Sequence, residues 1–190
     1  MSAVDKLTRL AQAARQGDAA ALESFVRGSY DQVWRFCAYL AGASAADDLA
    51  QETYARCVQS LRRFRGDAPA LTWVLSIARY VCASELRSRV RARGSTAAAG
   101  PEDPDRMTVP DAAGEVAVAD LFARLDPDRR AAFVLTQVLG LPYAEAAAVC
   151  GCPMGTIRSR VARAREDLIA MLPADETVSR GRRQAGGSFS

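Results

Sequence analysis

Hydrophobic residues recur every three to four positions along most of this chain, which predicts helices rather than strands. Gly17 and Asp18 separate a first short helix from a second, which Gly42 ends. Ser44, with Asp47 three residues later, is the predicted N-cap of a third helix in a variant of the capping box. The third helix is predicted to bury five residues: Ala50, Tyr54, Cys57, Val58 and Leu61. The predicted fold class is therefore all-α.

A loop marked by Gly, Asp and Pro spans residues 64–71 and leads into a long helix predicted for residues 72–91. One side of this helix is apolar: Val74, Leu75, Ala78, Val81, Cys82 and Leu86. The opposite side mixes aromatic and basic residues: Trp73, Tyr80, Ser84, Arg87 and Arg91. Such a stripe suits single-stranded nucleic acid, because bases stack on rings and cations pair with the backbone. The alternative is that Trp73 and Tyr80 cover a neighbouring helix.

Residues 92–115 are rich in Gly, Pro, Ala and acids without an apolar period, which predicts a flexible acidic linker. A helix over residues 116–125 follows, and Asp126 with Pro127 predicts the start of another that runs to Leu139. Residues 173–190 form a predicted disordered tail. The chain is thus divided into two small helical domains, residues 1–91 and 116–172.

Residues 141–172 predict two helices joined by a tight turn, because Gly151 can adopt a positive φ and Pro153 blocks continuation of the first helix over residues 143–149. A buried stripe is predicted on the second helix: Ile157, Val161, Ala164, Leu168, Met171 and Leu172. Its other face is polar and basic: Arg158, Ser159, Ala162, Arg163 and Glu166, flanked by Arg160 and Arg165. This pattern is typical of a helix-turn-helix unit whose second helix enters the major groove of DNA. The alternative is the solvated face of an ordinary helical bundle.

The net charge of +3 is distributed unevenly. Residues 79–93 carry five arginines and one glutamate, and residues 158–165 carry four arginines and no acid. Acidic residues predominate between positions 102 and 128. Two basic segments separated by an acidic one indicate two contacts with nucleic acid rather than a single continuous patch.

Five cysteines, no histidine and no export signal or long apolar run predict a cytoplasmic protein with reduced thiols and no membrane span. Cys150 and Cys152 are the one close pair, for which a zinc or redox role competes with small turn and core positions. Without histidine or a clustered nucleophile and base, we expect neither an enzyme nor a cofactor.

Three ordered motifs carry a family resemblance: DDLAQETYARCVQSL at residues 47–61, FRGD and TWVLSIAR within residues 64–79, and LPYAEAAAVCGCPMGTIRSRVARARE at residues 141–166. Together they resemble the extracytoplasmic-function (ECF, group IV) sigma factors of bacterial RNA polymerase, especially actinobacterial members. The resemblance covers nearly the whole chain. It implies an N-terminal domain (sigma region 2) that binds polymerase and melts the minus-ten promoter element. It also implies a C-terminal domain (region 4) that recognises the minus-thirty-five element.

The resemblance implies partners and residue roles. The partners are promoter DNA, both duplex and single-stranded, an anti-sigma factor, and core RNA polymerase through its β′ clamp helices and β flap. The implied polymerase contacts are Asp47, Asp48, Gln51 and Glu52, although the helix dipole alone explains an acidic helix start. The implied minus-ten contacts are Phe64, Arg65, Gly66, Asp67, Trp73, Tyr80, Arg87 and Arg91. The implied minus-thirty-five base contacts are Arg158, Ser159, Ala162 and Arg163, with Thr156, Arg160 and Arg165 near phosphates.

Some positions depart from the family pattern. Ala162 stands where some relatives have a bulky side chain, Tyr80 where many have asparagine, and Pro142 where a hydroxyl cap is usual. The promoter sequence therefore does not transfer from relatives. The acidic linker is expected to lie in the basic RNA-exit path of polymerase, where it would mimic nucleic acid.

Two other classes of protein compete with this interpretation. A stand-alone helix-turn-helix repressor would dimerise and bind duplex DNA without polymerase, but it leaves the Trp73 stripe unexplained. An adaptor that binds polymerase through residues 47–52 leaves the arginine face around Arg158 without a function.

Overall fold

The computed structural model describes residues 3–95 and 121–172, and both stretches are helical as predicted. The first contains α1 (Ala3–Arg15), α2 (Ala19–Ala41), α3 (Ala43–Ser60), a 3-10 turn (Leu61–Arg63) and α4 (Ala70–Ser95). The second contains a helix end at residues 121–123, then α5 (Pro127–Phe133), α6 (Tyr143–Cys150) and α7 (Met154–Met171). Most of the predicted linker, the start of the predicted 116–125 helix and the tail lie outside the described residues.

The breaks between the first three helices follow the predicted residues, but the cap of α3 does not. Asp18 caps α2 by accepting a hydrogen bond from the backbone amide of Ala21 at 2.9 Å. Gly42 adopts a φ of 97°, which lets the chain turn directly from α2 into α3. Because α3 therefore begins before Ser44, the predicted capping box of Ser44 and Asp47 is wrong.

The first four helices pack around a hydrophobic core. Its largest fully buried side chains come from α2 and α4 and include Phe25, Val33, Phe36, Val74 and Leu75. α3 buries Ala50, Tyr54 and Cys57 as predicted, and Leu61 is buried in the turn that follows. Val58 is also in the predicted set, but its side chain is 48% exposed because it lies about 100° around the helix from Cys57.

The long helix α4 starts earlier and ends later than predicted. The backbone amide of Ala70 donates to the hydroxyl of Thr8 in α1 at 3.1 Å, which satisfies one of the free N–H groups of the first turn. The predicted loop over residues 64–71 is therefore shortened to residues 64–69. This bond also ties α1 to the start of the helix that carries the predicted minus-ten stripe.

The second stretch begins with the predicted cap. The Asp126 carboxylate accepts hydrogen bonds from two backbone amides of the first turn of α5, at 3.0 and 3.1 Å, and Pro127 opens the helix. The helix then widens into a π-helical turn over Val134–Val138, where the predicted α-helix would have continued to Leu139. In this turn the amide of Leu139 donates to the carbonyl of Val134 at 2.9 Å.

Helices α6 and α7 form the predicted helix-turn-helix unit. Gly151 ends α6 in the left-handed conformation, with φ 61° and ψ 38°, and Pro153 is the N-cap of α7. The small residues Ala146 and Ala147 of α6 are buried, as is Ile157 of α7. Small side chains on α6 allow α7 to pack closely against it, so the turn and the packing are both encoded locally.

The two helical groups also pack against each other. α6 lies on α4, and Tyr39 of α2 makes an edge-to-face contact with Phe122, with ring centroids 5.2 Å apart. Buried residues of both groups belong to one continuous hydrophobic cluster. This packing places the predicted minus-ten helix beside the helix-turn-helix unit.

Candidate nucleic-acid interface

The outer face of α7 is exposed as the hydrophobic pattern predicts. Arg158, Ser159, Ala162 and Arg163 all lie on this exposed face, while Ile157 and Val161 on the opposite face are buried. The Ser159 hydroxyl donates to the Thr156 carbonyl at 2.9 Å. Arg158 and Arg163 are about 1.4 turns apart. Ser159 and Ala162 lie between them on this face and are small, which leaves room for base edges to approach the helix.

The predicted buried stripe of α7 is only half-buried at Leu168 and Met171 and ends with the helix. Ala164 is fully buried and Leu168 is half-buried, but Leu172 is 42% exposed and Ile169 is more exposed still. The prediction that Leu172 is buried is therefore wrong, because Leu172 follows the last helical residue and its extended backbone (φ −74°, ψ 140°) takes it off the helical stripe.

Two of the three predicted phosphate contacts, Arg160 and Arg165, are bonded within the protein in this conformation, and the third, Thr156, is half-buried. Arg160 donates to the carboxylate of Asp128 at 2.5 Å and lies 3.6 Å from the sulfur of Cys152. Arg165 donates to the side-chain oxygen of Gln137 at 2.6 Å. Both guanidinium groups are therefore oriented by α5 and its π-helical turn, although Arg165 remains exposed.

Asp128 connects the helix-turn-helix unit to the long helix α4. One of its carboxylate oxygens accepts from Arg160 and the other accepts from Arg79 of α4 at 2.9 Å. The three side chains are between 23% and 47% exposed, so solvent screens these pairs only in part. Sequence analysis missed Asp128, because its two partners are distant in the chain and only packing brings them together.

A second polar contact between the two groups joins Thr72 to Glu145. The buried Thr72 hydroxyl, at the start of α4, donates to the Glu145 carboxylate of α6 at 2.8 Å. The helix of the predicted minus-ten stripe is therefore bonded directly to the first helix of the helix-turn-helix unit.

The C-terminal end of α2 is bonded to two arginines. Arg130 of α5 is buried and donates to the carbonyls of Leu40 at 2.7 Å and Leu125 at 3.1 Å. Arg89 of α4 donates to the carbonyl of Ala41 at 2.9 Å. Burial lowers the pKa of Arg130, and the partial negative charge of the helix end favours the cation at this position.

The loop before α4 keeps its charged residues exposed but buries its aromatic residue. Arg65 and Asp67 are exposed, whereas Phe64 is only 3% exposed and packs against Trp73 with ring centroids 4.9 Å apart. Gly66 has a φ of 81°, which favours glycine, and its position lies against α1, where a Cβ would come within 2.6 Å of the flexible side-chain amide of Gln12. The loop is therefore held against α1 and the core.

The predicted aromatic stripe of α4 is only partly exposed. Trp73 packs against the hydrophobic core, so the prediction of two exposed rings holds for Tyr80 alone, which is 60% exposed. Arg87 and Arg91 are exposed further along the same helix. The guanidinium of Arg56, from α3, lies over the Tyr80 ring with its carbon 5.4 Å from the ring centroid.

The acidic residues of α3 share one exposed face. Asp47, Asp48, Gln51 and Glu52 are all exposed. The Asp47 carboxylate accepts from the indole nitrogen of Trp34 at 2.9 Å and from the hydroxyl of Tyr30 at 3.4 Å. Burial, followed by the charge of Asp47, raises the pKa of Tyr30.

Asp47, the predicted partner of Ser44 in a capping box, is bonded instead to Trp34 and Tyr30 of α2. Tyr30 in turn stacks on Tyr54, with ring centroids 6.0 Å apart. Sequence analysis placed Tyr54 in the core but missed Trp34 and Tyr30, which reach Asp47 from a different helix.

Cys150 and Cys152 lie at the turn between α6 and α7. Cys150 is buried, and burial raises the pKa of its thiol to about 11. Within residues 3–95 and 121–172, no group of three or more potential metal ligands is present. None of the helices in those two ranges is long and apolar enough to cross a membrane.

The protein is all-α and belongs to the helix-turn-helix class. Its helix-turn-helix unit has an exposed arginine face and packs on a second group of helices.

The family described as "Sigma-70 region 2" matches residues 25–92, and "Sigma-70, region 4" matches residues 115–168. The chain is 48% identical over 179 residues to the "ECF RNA polymerase sigma factor SigC" of Mycobacterium tuberculosis, which covers 90% of this chain and 94% of that protein. It is 37% identical over 137 residues to the "ECF RNA polymerase sigma factor EcfG" of Rhodopseudomonas palustris, with 70% and 74% covered.

Two solved structures have the same fold. CnrH, solved in complex with the cytosolic domain of CnrY, aligns with a TM-score of 0.71 and 27% identity over 90% of this chain and 99% of that one. The sigma factor RpoE from Bartonella quintana, solved with the anti-sigma factor NepR, aligns with a TM-score of 0.65 and 27% identity. The alignment covers 80% of this chain and 97% of that one. The chain therefore belongs to the sigma-70 family of transcription initiation factors, and within it to the ECF sigma factors.

Proposed function

We propose that this chain is an alternative sigma factor that binds core RNA polymerase and directs initiation at promoters by recognising their minus-ten and minus-thirty-five elements. The exposed arginine face of α7 carries this proposal, because Arg158 and Arg163 stand on a helix-turn-helix unit at positions from which a guanidinium can bind guanine with two hydrogen bonds. Membership of the ECF family supports the same function. The chain itself supplies no chemical step, which belongs to polymerase.

The two helical groups have different proposed functions. Residues 1–91 bind core polymerase, through Asp47, Asp48, Gln51 and Glu52 on its β′ clamp helices, and capture the melted minus-ten strand. Residues 116–172 recognise the minus-thirty-five element and contact the β flap. The proposed minus-ten contacts are the loop residues Arg65, Gly66 and Asp67 and the exposed stripe of Tyr80, Arg87 and Arg91. Phe64 and Trp73 are buried or half-buried and support this surface from beneath.

The two helical groups must separate before both can bind a promoter. The minus-ten and minus-thirty-five promoter elements are, as their names say, roughly 25 base pairs apart, which corresponds to about 85 Å of B-DNA. Here, by contrast, Arg79 and Arg160 share the carboxylate of Asp128. Separation would free Arg160 to bind a phosphate. Because polymerase would tether both groups, binding of one promoter element would raise the effective concentration of the other group at its own element.

A separate anti-sigma protein is a further proposed partner. The solved relative RpoE was crystallised with the anti-sigma factor NepR, and this chain shares its fold over most of that protein. The proposed site of action is the cytoplasm, where polymerase and the chromosome are found.

Run-off transcription tests the proposed function. Core RNA polymerase from a mycobacterium is incubated with and without the purified chain on promoter fragments from the genome that encodes it. We expect transcripts with a defined start only when the chain is present. If the chain neither binds core polymerase nor yields such transcripts, but shifts duplex DNA as a dimer, it is a repressor and the polymerase assignment of residues 47–52 is wrong.

A further inference from the structure

Arg56 joins two surfaces that the proposed function treats separately. It lies on α3, where its Nε donates to the carboxylate of Glu52 at 2.6 Å, on the acidic face. Its guanidinium lies over the ring of Tyr80 on α4, in the proposed minus-ten stripe. Glu52, Arg56 and Tyr80 therefore form a line of contacts that connects the proposed polymerase surface to the proposed DNA surface.

The contact with Arg56 restrains an otherwise exposed ring. Tyr80 is 60% exposed, and an aromatic side chain with that much freedom loses rotational entropy when a base stacks on it. A guanidinium over one face of the ring is attracted by its quadrupole and holds it in one orientation. The ring is then already ordered when a base arrives.

We propose that Arg56 is a positioning residue for capture of the melted minus-ten strand, which it serves by holding the Tyr80 ring as a stacking platform. This inference rests on the proposed function and adds a residue that neither the sequence motifs nor the family comparison assigns. Glu52 fixes the guanidinium from the other side, so an interaction between polymerase and Glu52 acts on the same arginine that orients Tyr80.

The test measures two affinities of the same proteins. Fluorescence anisotropy gives the affinity of the labelled chain for core polymerase. The affinity of the assembled holoenzyme for a fork-junction DNA with a single-stranded minus-ten segment is measured at saturating core. For Arg56→Ala we expect core affinity within 2-fold of the parent and fork-junction affinity lowered about 3- to 10-fold.

Several variants separate positioning from a general effect of charge or folding. Arg27→Ala removes an arginine from the same kind of i,i+4 pair, with Glu23 on α2, and is expected to change fork-junction affinity less than 2-fold. Arg56→Lys keeps a cation beside the ring and is expected to recover at least half of the lost binding energy. The double variant Arg56→Ala/Tyr80→Ala is expected to bind no more weakly than Tyr80→Ala alone, since Arg56 acts through the ring.

The outcomes distinguish this inference from the proposed function. If the parent chain binds no core polymerase, the proposed function fails. If the parent is active but Arg56→Ala binds the fork junction as well as the parent does, the positioning role is wrong. Equal losses of core and fork-junction affinity in Arg56→Ala, or additive losses in the double variant, also contradict it.

Discussion

Arg158 and Arg165 both belong to the basic side of α7, but their surroundings give them different expected functions. Arg158 lies on the exposed face, where its guanidinium is 4.0 Å from the sulfur of Met154. Arg165 is held by Gln137 at 2.6 Å, to one side of that face. We therefore expect Arg158 to contact a base edge and Arg165 a phosphate.

We therefore expect Arg158→Ala to weaken binding to the preferred minus-thirty-five element by about 1–3 kcal/mol and to relax preference at one base pair. Arg165→Ala should weaken binding to all sequences about equally and reduce the dependence on salt. Holoenzyme binding to a set of single-base promoter variants measures both effects. An unchanged base preference in Arg158→Ala would show that another residue recognises that base.

A buried thiol makes stability depend on pH in the alkaline range. Burial raises the pKa of Cys57 from its ordinary value near 9 to about 12. Below pH 9 the thiol is protonated in both folded and unfolded chains, so its contribution is fully present. Above pH 9 the unfolded chain loses this proton while the folded chain retains it, and the contribution is lost as pH rises.

We expect the free energy of unfolding of the parent to fall more steeply between pH 9 and pH 11 than that of Cys57→Ala. The difference in slope is about 1.4 kcal/mol per pH unit, because one pKa unit corresponds to that energy. Urea unfolding at several pH values measures both slopes, and comparing the two proteins removes the titration of all other groups. Parallel curves would mean that Cys57 is accessible to solvent in the folded chain.

At the scale of elements, the turn between α6 and α7 sets the geometry of the DNA-binding unit. Gly151 has a φ of 61° and nothing within 4 Å of a Cβ, so an added side chain is strained by the backbone alone. Gly155, in the first turn of α7, has equal space around it without a positive φ. The two glycines therefore separate backbone conformation from packing.

We expect Gly151→Ala to lower the free energy of unfolding by about 1 kcal/mol, because a left-handed conformation is unfavourable for residues with a Cβ. Gly155→Ala should raise it by about 0.4–1 kcal/mol, because alanine reduces the entropy of the unfolded chain and favours the helix. Chemical denaturation of the two variants gives both values. A stabilising Gly151→Ala would mean that the turn adopts a different conformation in solution.

At the scale of the whole molecule, the two helical groups are joined by polar contacts that the proposed promoter complex would break. Asp128 holds Arg79 and Arg160 at 2.9 and 2.5 Å, and Thr72 holds Glu145 at 2.8 Å. Arg130 of α5 adds a buried bond to the Leu40 carbonyl of α2 at 2.7 Å. The pairs of Asp128 are partly exposed to solvent, so we expect these pairs to break most readily when the closed arrangement exchanges with an open one.

Asp128→Asn removes the charge that both arginines share while keeping the size of the side chain. We expect it to shift the distribution of distances between fluorophores on α2 and α7 toward longer values in single-molecule energy transfer. Asp167→Asn is the matched control, because Asp167 pairs with Arg129 inside the helix-turn-helix group at 2.7 Å. Identical distributions for Asp128→Asn and the parent would show that apolar packing alone holds the groups together.

Local signals predicted the elements well where the cause of an element is itself local. Asp126 and Pro127 start α5, and Gly151 ends α6, because a cap or a positive φ depends on the residue at that position. The predicted cap of α3 is wrong because the turn at Gly42, with a φ of 97°, starts the helix at Ala43, before Ser44. The partners of Asp47, by contrast, are set by tertiary packing. Trp34 and Tyr30 of α2 bind Asp47, and no spacing within residues 42–47 indicates this.

The sequence by itself determined the helical class, the helix-turn-helix unit, the exposed arginines of α7 and the acidic face of α3, because helical periodicity sorts residues onto faces before any packing occurs. Tertiary structure decided which of the predicted contacts face solvent. It buried Phe64, covered part of Trp73, joined Arg56 to Tyr80 and brought Arg79 and Arg160 to one carboxylate. The physical reason is that these contacts join residues from different helices, and their distances are fixed only when those helices pack.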